Sequence, residues 1–248
     1  MALERRLERM RGVAARRQAG LTVVLEDIHD PHNAQAVFRT CDAFGVQEVH
    51  IIFERESPFD PRAMGKATSS SANQWLDFHV YHSRDACLDG LKDQGYTLAA
   101  TVAGEGAAES LFTANLHCKK LAVMFGNEYF GLDPAAVARA DRRVTIPMRG
   151  MVQSLNLSVT AALFLYEATR QRMAEGMEAR QVSPEQAETL QHQSLEKDLG
   201  HGEPSFMNAP RPRDRAIPRV FLRSSLSAQS IAAFMSRTNC PLTVRSLS

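Results

Sequence analysis

Polar side chains that could bind and orient a ligand occur in three short segments of this sequence. In the first segment, Asn33 and Arg39 lie six residues apart, shortly after an apolar run that ends at Ile28. Fewer than two helical turns separate them, so both could face the crevice at the carboxyl edge of a parallel sheet, where such sheets bind ligands. The structural alternatives are a helix cap at Asn33 and a surface ion pair at Arg39.

The second segment is a turn that directly follows the apolar run 119–125. Gly126 begins it and Glu128 follows two residues later. A glycine at this place lets a ligand approach the backbone closely, and Glu128 could orient Arg39, accept a hydrogen bond from a ligand amine or hold a substrate. The alternative is a common turn in which the Glu128 side chain is solvated.

The third segment, residues 147–156, has neither helical nor strand periodicity, although it lies between a predicted strand and a long predicted helix. An ordered loop is therefore expected there. Ser154 and Asn156 could cap the helix and present backbone N–H groups to a ligand. Plain capping by Asn156 is the alternative, but three such segments together favour one shared site.

Alternating strands and helices are predicted to position these segments. Apolar, β-branched runs predict strands at 21–28, 46–53, 75–82, 96–103, 119–126 and 142–148. Helical patterns lie at 33–44, 83–95, 134–141 and 156–172, with a further polar helix at 183–198. This alternation predicts an α/β fold with a mostly parallel sheet covered on both faces.

Charge gives no global indication of a nucleic-acid partner, since the net charge of the 248 residues is +1. The first eighteen residues are nevertheless basic and have apolar residues at helical spacing, which predicts a basic amphipathic helix. Its arginines are Arg5, Arg6, Arg9, Arg11, Arg16 and Arg17. A merely solvated helix and a transit peptide are the alternatives.

Several other classes of site are disfavoured by the sequence. No apolar stretch reaches the roughly 18 residues that a membrane helix needs, and we expect a cytoplasmic protein. The four cysteines show no C-x-x-C spacing, and no cluster of His, Cys or carboxylates has metal-ligand spacing, so no metal is predicted. GEGAAE, which begins at Gly104, ends in Glu109 where a dinucleotide fingerprint needs Gly or Ala.

Three sequence segments resemble the motifs of the SpoU/TrmH (SPOUT) family, the knotted RNA 2'-O-methyltransferases. They are HNAQAVFRTCDAFGV at 32–46, MFGNEYFGL at 124–132 and IPMRGMVQSLNLSVTAALFLYEA at 146–168. The resemblance covers about residues 21–172. It implies a Rossmann-like domain with a C-terminal deep trefoil knot at about 124–168, a feature that propensities cannot predict.

The resemblance also implies a cofactor, a set of site residues and an assembly. S-adenosyl-L-methionine would bind in the knot, and the family is dimeric, with its site near the subunit interface. By carry-over, the catalytic residues are Asn33, Arg39, Glu128, Ser154 and Asn156. The cofactor-binding residues are Thr101, Gly126, Ile146, Met148, Ser154 and Leu155.

Within the family, the motif wording, the segment ATSSSANQW and the short basic helix are most similar to the subgroup that methylates guanosine 18 of tRNA. The six N-terminal arginines would then bind tRNA phosphates. The alternatives are another tRNA position, ribosomal RNA, or a non-catalytic RNA-binding protein on the same scaffold.

The expected domain organisation has three parts. Residues 1–20 form the basic helical extension, 21–175 the methyltransferase domain, and 176–248 a C-terminal extension. The final stretch from residue 200 is rich in proline and serine, which predicts disorder.

Arg39 is the catalytic residue that the resemblance implies, sometimes described as a general base. A guanidinium has a pKa above about 12 and is a poor base. Our hypothesis is that Arg39 holds the adjacent phosphate and stabilises developing alkoxide charge, with Asn33 and Glu128 fixing its orientation.

Overall fold

A computed structural model describes residues 2–62, 72–104, 108–174, 176 and 181–198. Part of the segment ATSSSANQW, part of GEGAAE and the predicted disordered stretch 200–248 lie outside the described residues. Within them, no helix combines the length and apolar character that crossing a membrane requires.

The described chain alternates between strands and helices along most of its length. The strands are β1 (Leu21–Glu26), β2 (Glu48–Ile52), β3 (Asp77–Tyr81), β4 (Thr97–Thr101), β5 (Glu109–Ser110), β6 (Leu121–Phe125) and β7 (Arg142–Thr145). The helices are α1 (Ala2–Ala14), α2 (Pro31–Ala43), α3 (Ala72–Trp75), α4 (Arg84–Asp93), α5 (Pro134–Arg139), α6 (Leu157–Ala174) and α7 (Pro184–Asp198).

The strands form one sheet in the order β3-β2-β1-β6-β4-β7-β5, and every pairing in it is parallel. The predicted parallel α/β architecture is thus confirmed. Every residue of the central strands β1 and β6 is buried, as expected when helices cover both faces of a parallel sheet. All carboxyl ends meet at one edge, where ligands bind in such sheets.

Two apolar layers fill the space between the sheet and its helices. On one face, α2 and α6 pack together over residues such as Val23, Phe78 and Val123. On the other, Leu88 and Leu91 of α4 pack against β2, β4 and β6. The odd and even residues of each strand therefore contribute to different cores.

Helix α2 begins two residues before the prediction and is capped differently. Asp30 is its N-cap, since the Asp30 side chain accepts a hydrogen bond from His32 N at 2.9 Å, and Pro31 occupies the first helical turn. Asn33 is therefore not the helix cap. Gly45 follows the helix with φ +74°, the left-handed conformation in which helices commonly end.

Helix α1, predicted from the basic N-terminal sequence, and helix α7, predicted at 183–198, pack against each other. An isolated antiparallel bridge joins Gln18 to Gln181 just beyond them, and Arg11 Nε donates to Gln191 Oε1 at 3.5 Å. Helices α1 and α7 thus form one packed pair.

Arg17 was predicted to bind RNA with the other N-terminal arginines, but its position in the structure contradicts this. Its side chain is buried, pairs with Asp42 at 2.7 Å and donates to Val46 O at 3.2 Å. The guanidinium fastens the end of α2 to the N-terminal segment, so it is unavailable to a phosphate. By contrast, the side chains of Arg5, Arg9, Arg11 and Arg16 are exposed.

Candidate active site

A cavity of about 740 Å³ opens at the carboxyl ends of β1, β4, β6 and β7. Its walls come from the β1–α2 loop, the turn after β6 and the irregular loop between β7 and α6. All three polar segments singled out in the sequence therefore reach one site. A cavity of this size is in the range of small-molecule and cofactor sites.

Hydrogen bonds join the three segments across the cavity wall. Asn33 Nδ2 donates to Glu128 Oε1 at 2.8 Å, and Asn33 Oδ1 accepts from Asn156 Nδ2 at 3.1 Å. Asn156 Oδ1 in turn accepts from Ser158 N at 2.8 Å, which caps α6. Asn156 thus caps a helix and also links that helix to the other two segments.

Glu128 is the centre of this arrangement because three N–H groups converge on its carboxylate. Besides the amide of Asn33, the backbone N–H of His29 donates to Oε2 at 2.9 Å and that of Asp30 donates to Oε1 at 3.3 Å. The carboxylate therefore holds the β1–α2 loop against the turn after β6. Charge-assisted hydrogen bonds of this kind are the stronger ones in proteins.

The turn after β6 explains why Gly126 is a glycine. A Cβ at this position would overlap the backbone of Gly131 and Leu132, because the turn closes back on itself. Asn127 and Gly131 exchange backbone hydrogen bonds at 3.0 and 2.8 Å. The close approach predicted for a ligand is thus made in this structure by the protein's own backbone, although Gly126 also lines the cavity.

Two buried polar residues near the site were missed from the sequence. Asn127 Nδ2 donates to Asp27 O at 2.8 Å and ties the turn to the end of β1. Asp27 has φ +50°, and its Oδ1 accepts the N–H groups of Glu54, Arg55 and Glu56. Aspartate tolerates this left-handed conformation better than most residues do. No sequence pattern indicates it, since the three donors follow a different strand.

An ion cluster lies beneath the site, at the ends of β1, α4 and α5. Glu26 is buried, bonds with Arg84, and accepts Asp133 N at 2.8 Å. Burial raises the pKa of Glu26, and the Arg84 guanidinium acts in the opposite direction. Arg84 also pairs with Glu54 at 2.8 Å. The cluster fixes the relative positions of elements that carry the cavity.

Every residue predicted to bind the cofactor lines the cavity. They are Thr101, Gly126, Ile146, Met148, Ser154 and Leu155. The Thr101 hydroxyl donates to Met124 O at 2.9 Å, so it also connects β4 to β6. Asn33, Glu128, Ser154 and Asn156 from the predicted catalytic set line the same cavity.

Arg39 is placed differently from the prediction. Its side chain is exposed on α2, does not line the cavity, and makes no hydrogen bond or ion pair with the described residues. Asn33 and Glu128 bond to each other and to the backbone, so they do not fix the Arg39 guanidinium. The hypothesis that Asn33 and Glu128 fix the orientation of the Arg39 side chain is therefore wrong for the single chain.

Comparisons with known proteins agree with this geometry. A model of the SpoU rRNA Methylase family matches residues 20–166. A Thermus thermophilus relative, named tRNA (guanosine(18)-2'-O)-methyltransferase, is 41% identical over 70% of this chain and 87% of its own length. An Escherichia coli relative of the same name is 39% identical over 72% of this chain and 75% of its own.

Solved structures show the same fold. The Aquifex aeolicus TrmH/SpoU tRNA modifying enzyme superposes with a TM-score of 0.71 at 28% identity, over 80% of this chain and 99% of that one. The SpoU methyltransferase AviRb from Streptomyces viridochromogenes, solved with AdoMet, has a TM-score of 0.55 at 26% identity, over 64% and 62% of the two chains. Taken together with the matched motifs, these likenesses show that the chain belongs to the SpoU methylase family.

Proposed function

We propose that this protein transfers a methyl group from S-adenosyl-L-methionine to the ribose 2'-hydroxyl of guanosine 18 in tRNA. The observation that carries the proposal is the single cavity in which Glu128, Asn33 and Asn156 join the three motif segments by hydrogen bonds. The names of the relatives that are 39–41% identical support both the reaction and the substrate.

The cavity fits a nucleoside cofactor in size and in chemistry. Ile146, Leu155 and Phe125 provide apolar wall for a base, and the irregular loop after β7 provides backbone polar groups. Thr101, Gly126, Met148 and Ser154 complete the proposed binding set. When bound, S-adenosylmethionine supplies an electrophilic methyl group for in-line attack by the ribose oxygen.

The residues of the chain would contribute mainly by positioning. Glu128 already accepts three hydrogen bonds, so in this proposal it orients the substrate-facing wall and does not remove the hydroxyl proton. Asn33, Ser154 and Asn156 would align the ribose. The Arg39 guanidinium would bind the neighbouring phosphate and stabilise the developing alkoxide, while the proton passes to water.

The exposed position of Arg39 agrees with a site completed by a second copy of the chain. Next to α2, helix α6 presents Val159, Leu163, Tyr166 and Met173 to solvent. Their spacing of four, three and seven residues places them on one stripe of the helix. We propose that this stripe forms a homodimer interface near the active site, since an apolar stripe of this kind marks a contact surface.

The dimer has a direct test. Leu163→Arg, which places a charge in the stripe, should shift sedimentation or light scattering from two chains to one. Glu188→Arg, on an exposed part of α7, is the matched control and should leave the dimer intact. An unchanged dimer in Leu163→Arg would contradict this interface.

The proposal also includes the topology of the chain, its domain division and its location in the cell. We propose that residues 124–168 are threaded as a trefoil knot, supported by the fold likeness to TrmH/SpoU structures and by the position of β6 between β1 and β4. A crystal structure that traces this segment tests it. The domain division 1–20, 21–175 and 176–248 and a cytoplasmic location also stay proposals.

The exposed arginines of α1 would bind the tRNA backbone. Arg5, Arg9 and Arg11 project from a helix that also packs on α7, so they form a fixed basic surface with Arg6 and Arg16. Contacts of this type provide affinity that falls as salt rises, without reading sequence. Base or shape recognition at guanosine 18 would come from the cavity side.

A methyl-transfer assay with a defined transcript tests the function. Labelled S-adenosylmethionine should methylate a tRNA transcript, and ribose mapping should find the methyl group at guanosine 18. A transcript with 2'-deoxyguanosine at that position is the control and should accept no label. Label at another ribose would favour the alternative substrates, including ribosomal RNA. Tight RNA binding without transfer would favour a non-catalytic RNA-binding protein.

A further inference from the structure

Three groups able to bind a metal lie together on strands β2 and β3, away from the cavity. Glu48 and His50 are two residues apart on β2, and His79 is the register partner of His50 on β3. One donor atom from each of the three lies within 4.8 Å of the other two. The alternation of side chains in strands places all three on the face that α4 covers.

His50 is the unusual member of this group. It is 3% exposed, and its Nε2 has no hydrogen-bond partner among the described residues. Buried polar atoms without a partner are rare, and each calls for an explanation such as an ion. The other ring nitrogen, Nδ1, lies 3.1 Å from the Tyr81 hydroxyl.

This geometry matches the way proteins prepare a histidine to bind a metal. A ligating histidine binds through one nitrogen while the other donates its hydrogen to an oxygen that fixes the ring. The Tyr81 hydroxyl oxygen is placed to accept that hydrogen from Nδ1 of His50.

We propose that Glu48, His50 and His79 bind one Zn²⁺ ion per chain. Two imidazole nitrogens and one carboxylate form a donor set that zinc accepts in tetrahedral sites, and water would take the fourth position. Glu48 and His79 are partly exposed, which gives the ion a route from solvent. The sequence did not indicate the site because its ligands come from two strands that only the sheet brings together.

The position of the site indicates a structural role. Glu48 begins β2, and β3 is an edge strand, whereas the cavity lies at the opposite, carboxyl ends of the strands. The ion would therefore fasten the edge strand to the sheet and take no part in methyl transfer. Its test is independent of the proposed function.

Zinc binding can be measured on the full-length, tag-free protein after chelator treatment. Calorimetric titration with zinc sulfate should give one site per chain, and the melting temperature should rise with zinc concentration. His79→Gln should weaken zinc binding at least 10-fold and remove the rise in melting temperature. Tyr81→Phe should weaken it by about 10- to 100-fold, the range for loss of a group that orients a ligand.

Two controls make the result decisive. His82→Gln changes an exposed histidine just beyond β3 and should bind zinc as the wild type does. Cobalt in place of zinc should give a spectrum of nitrogen and oxygen ligands without a thiolate charge-transfer band. Equal zinc affinity and stoichiometry in His79→Gln, or a thiolate band in the wild type, would overturn the proposal.

Discussion

Replacing Glu128 by glutamine tests whether its carboxylate assembles the active site. The carboxylate accepts from His29 N at 2.9 Å, Asp30 N at 3.3 Å and Asn33 Nδ2 at 2.8 Å. A glutamine keeps one oxygen for the two donors at Oε1. Its NH₂ group then faces the N–H of His29, so one charge-assisted bond is replaced by two opposed donors.

The structure gives the size of the expected effect. A hydrogen bond to a charged group contributes about 1.5–3 kcal/mol, and each 1.4 kcal/mol corresponds to a factor of ten. If this bond is needed to hold the β1–α2 loop in the reactive arrangement, kcat/KM for tRNA falls by about 10- to 150-fold. The wall formed by Ile146 and Leu155 is unchanged, so the dissociation constant for S-adenosylmethionine should stay within about twofold.

Single-turnover methyl transfer to a tRNA transcript, together with calorimetric cofactor binding, separates these quantities. Both are measured well below the melting temperature of the variant, because the lost bond also lowers stability. Glu188→Gln, an exposed change on α7, is the matched control. Wild-type activity in Glu128→Gln, or an equal loss of cofactor affinity and transfer rate, would refute the positioning role.

Three further predictions concern RNA binding, stability and pH. A variant with glutamine at four α1 positions, Arg5, Arg6, Arg9 and Arg11, should bind tRNA more weakly, and its affinity should depend less on salt. Its affinity for the cofactor should be unchanged. Filter binding at several salt concentrations measures the affinity for tRNA. Arg172→Met should lower the free energy of unfolding by about 2–5 kcal/mol, as measured by urea titration. The reason is that the buried Arg172 guanidinium donates hydrogen bonds to the backbone carbonyl oxygens of Ala19, Gly20, Cys118 and Lys119. Arg170→Met, at an exposed position, is the control and should change the free energy of unfolding little. The pKa of Asp133 is lowered by the hydrogen bond from Ala135 N and by the guanidinium groups of Arg84 and Arg55. The ionised Asp133 therefore stabilises the fold at pH values above 3.8, the ordinary pKa of an aspartate, and this stabilisation is lost as the pH falls through the lowered pKa. Melting curves of Asp133→Asn should therefore show a shallower acid decline than those of the wild type, and an equally steep decline would contradict this.

The sequence predicted the sheet well because β1 is a largely apolar run, β6 is a continuous one, and the helices between them are clearly periodic. It also brought Asn33, Glu128 and Asn156 to one site, since polar residues at strand ends converge in a parallel sheet. Element ends were less accurate. The strand predicted from Trp75 begins at Asp77, because Trp75 ends the short helix α3.

What the sequence could not give are interactions that only the folded chain creates. Arg17 was grouped with the exposed arginines, since nothing in the adjacent sequence indicated that its side chain would be buried and paired with Asp42. Asp27 collects three N–H groups from another strand's end, which needs a left-handed backbone that no local pattern reveals. The exposed side chain of Arg39 depends on how α2 is rotated against α6, a matter of packing.

The pairing of α1 with α7 sets the order in which this protein can be completed during synthesis. Arg11 and its partner Gln191 are 180 residues apart. At about 5–20 residues per second, the ribosome needs roughly 10–35 seconds to make the intervening chain. During that interval α1 is present without α7, so the surface of α1 that packs on α7 stays uncovered. Helix α1 is thus made well before its native contacts with α7 can form.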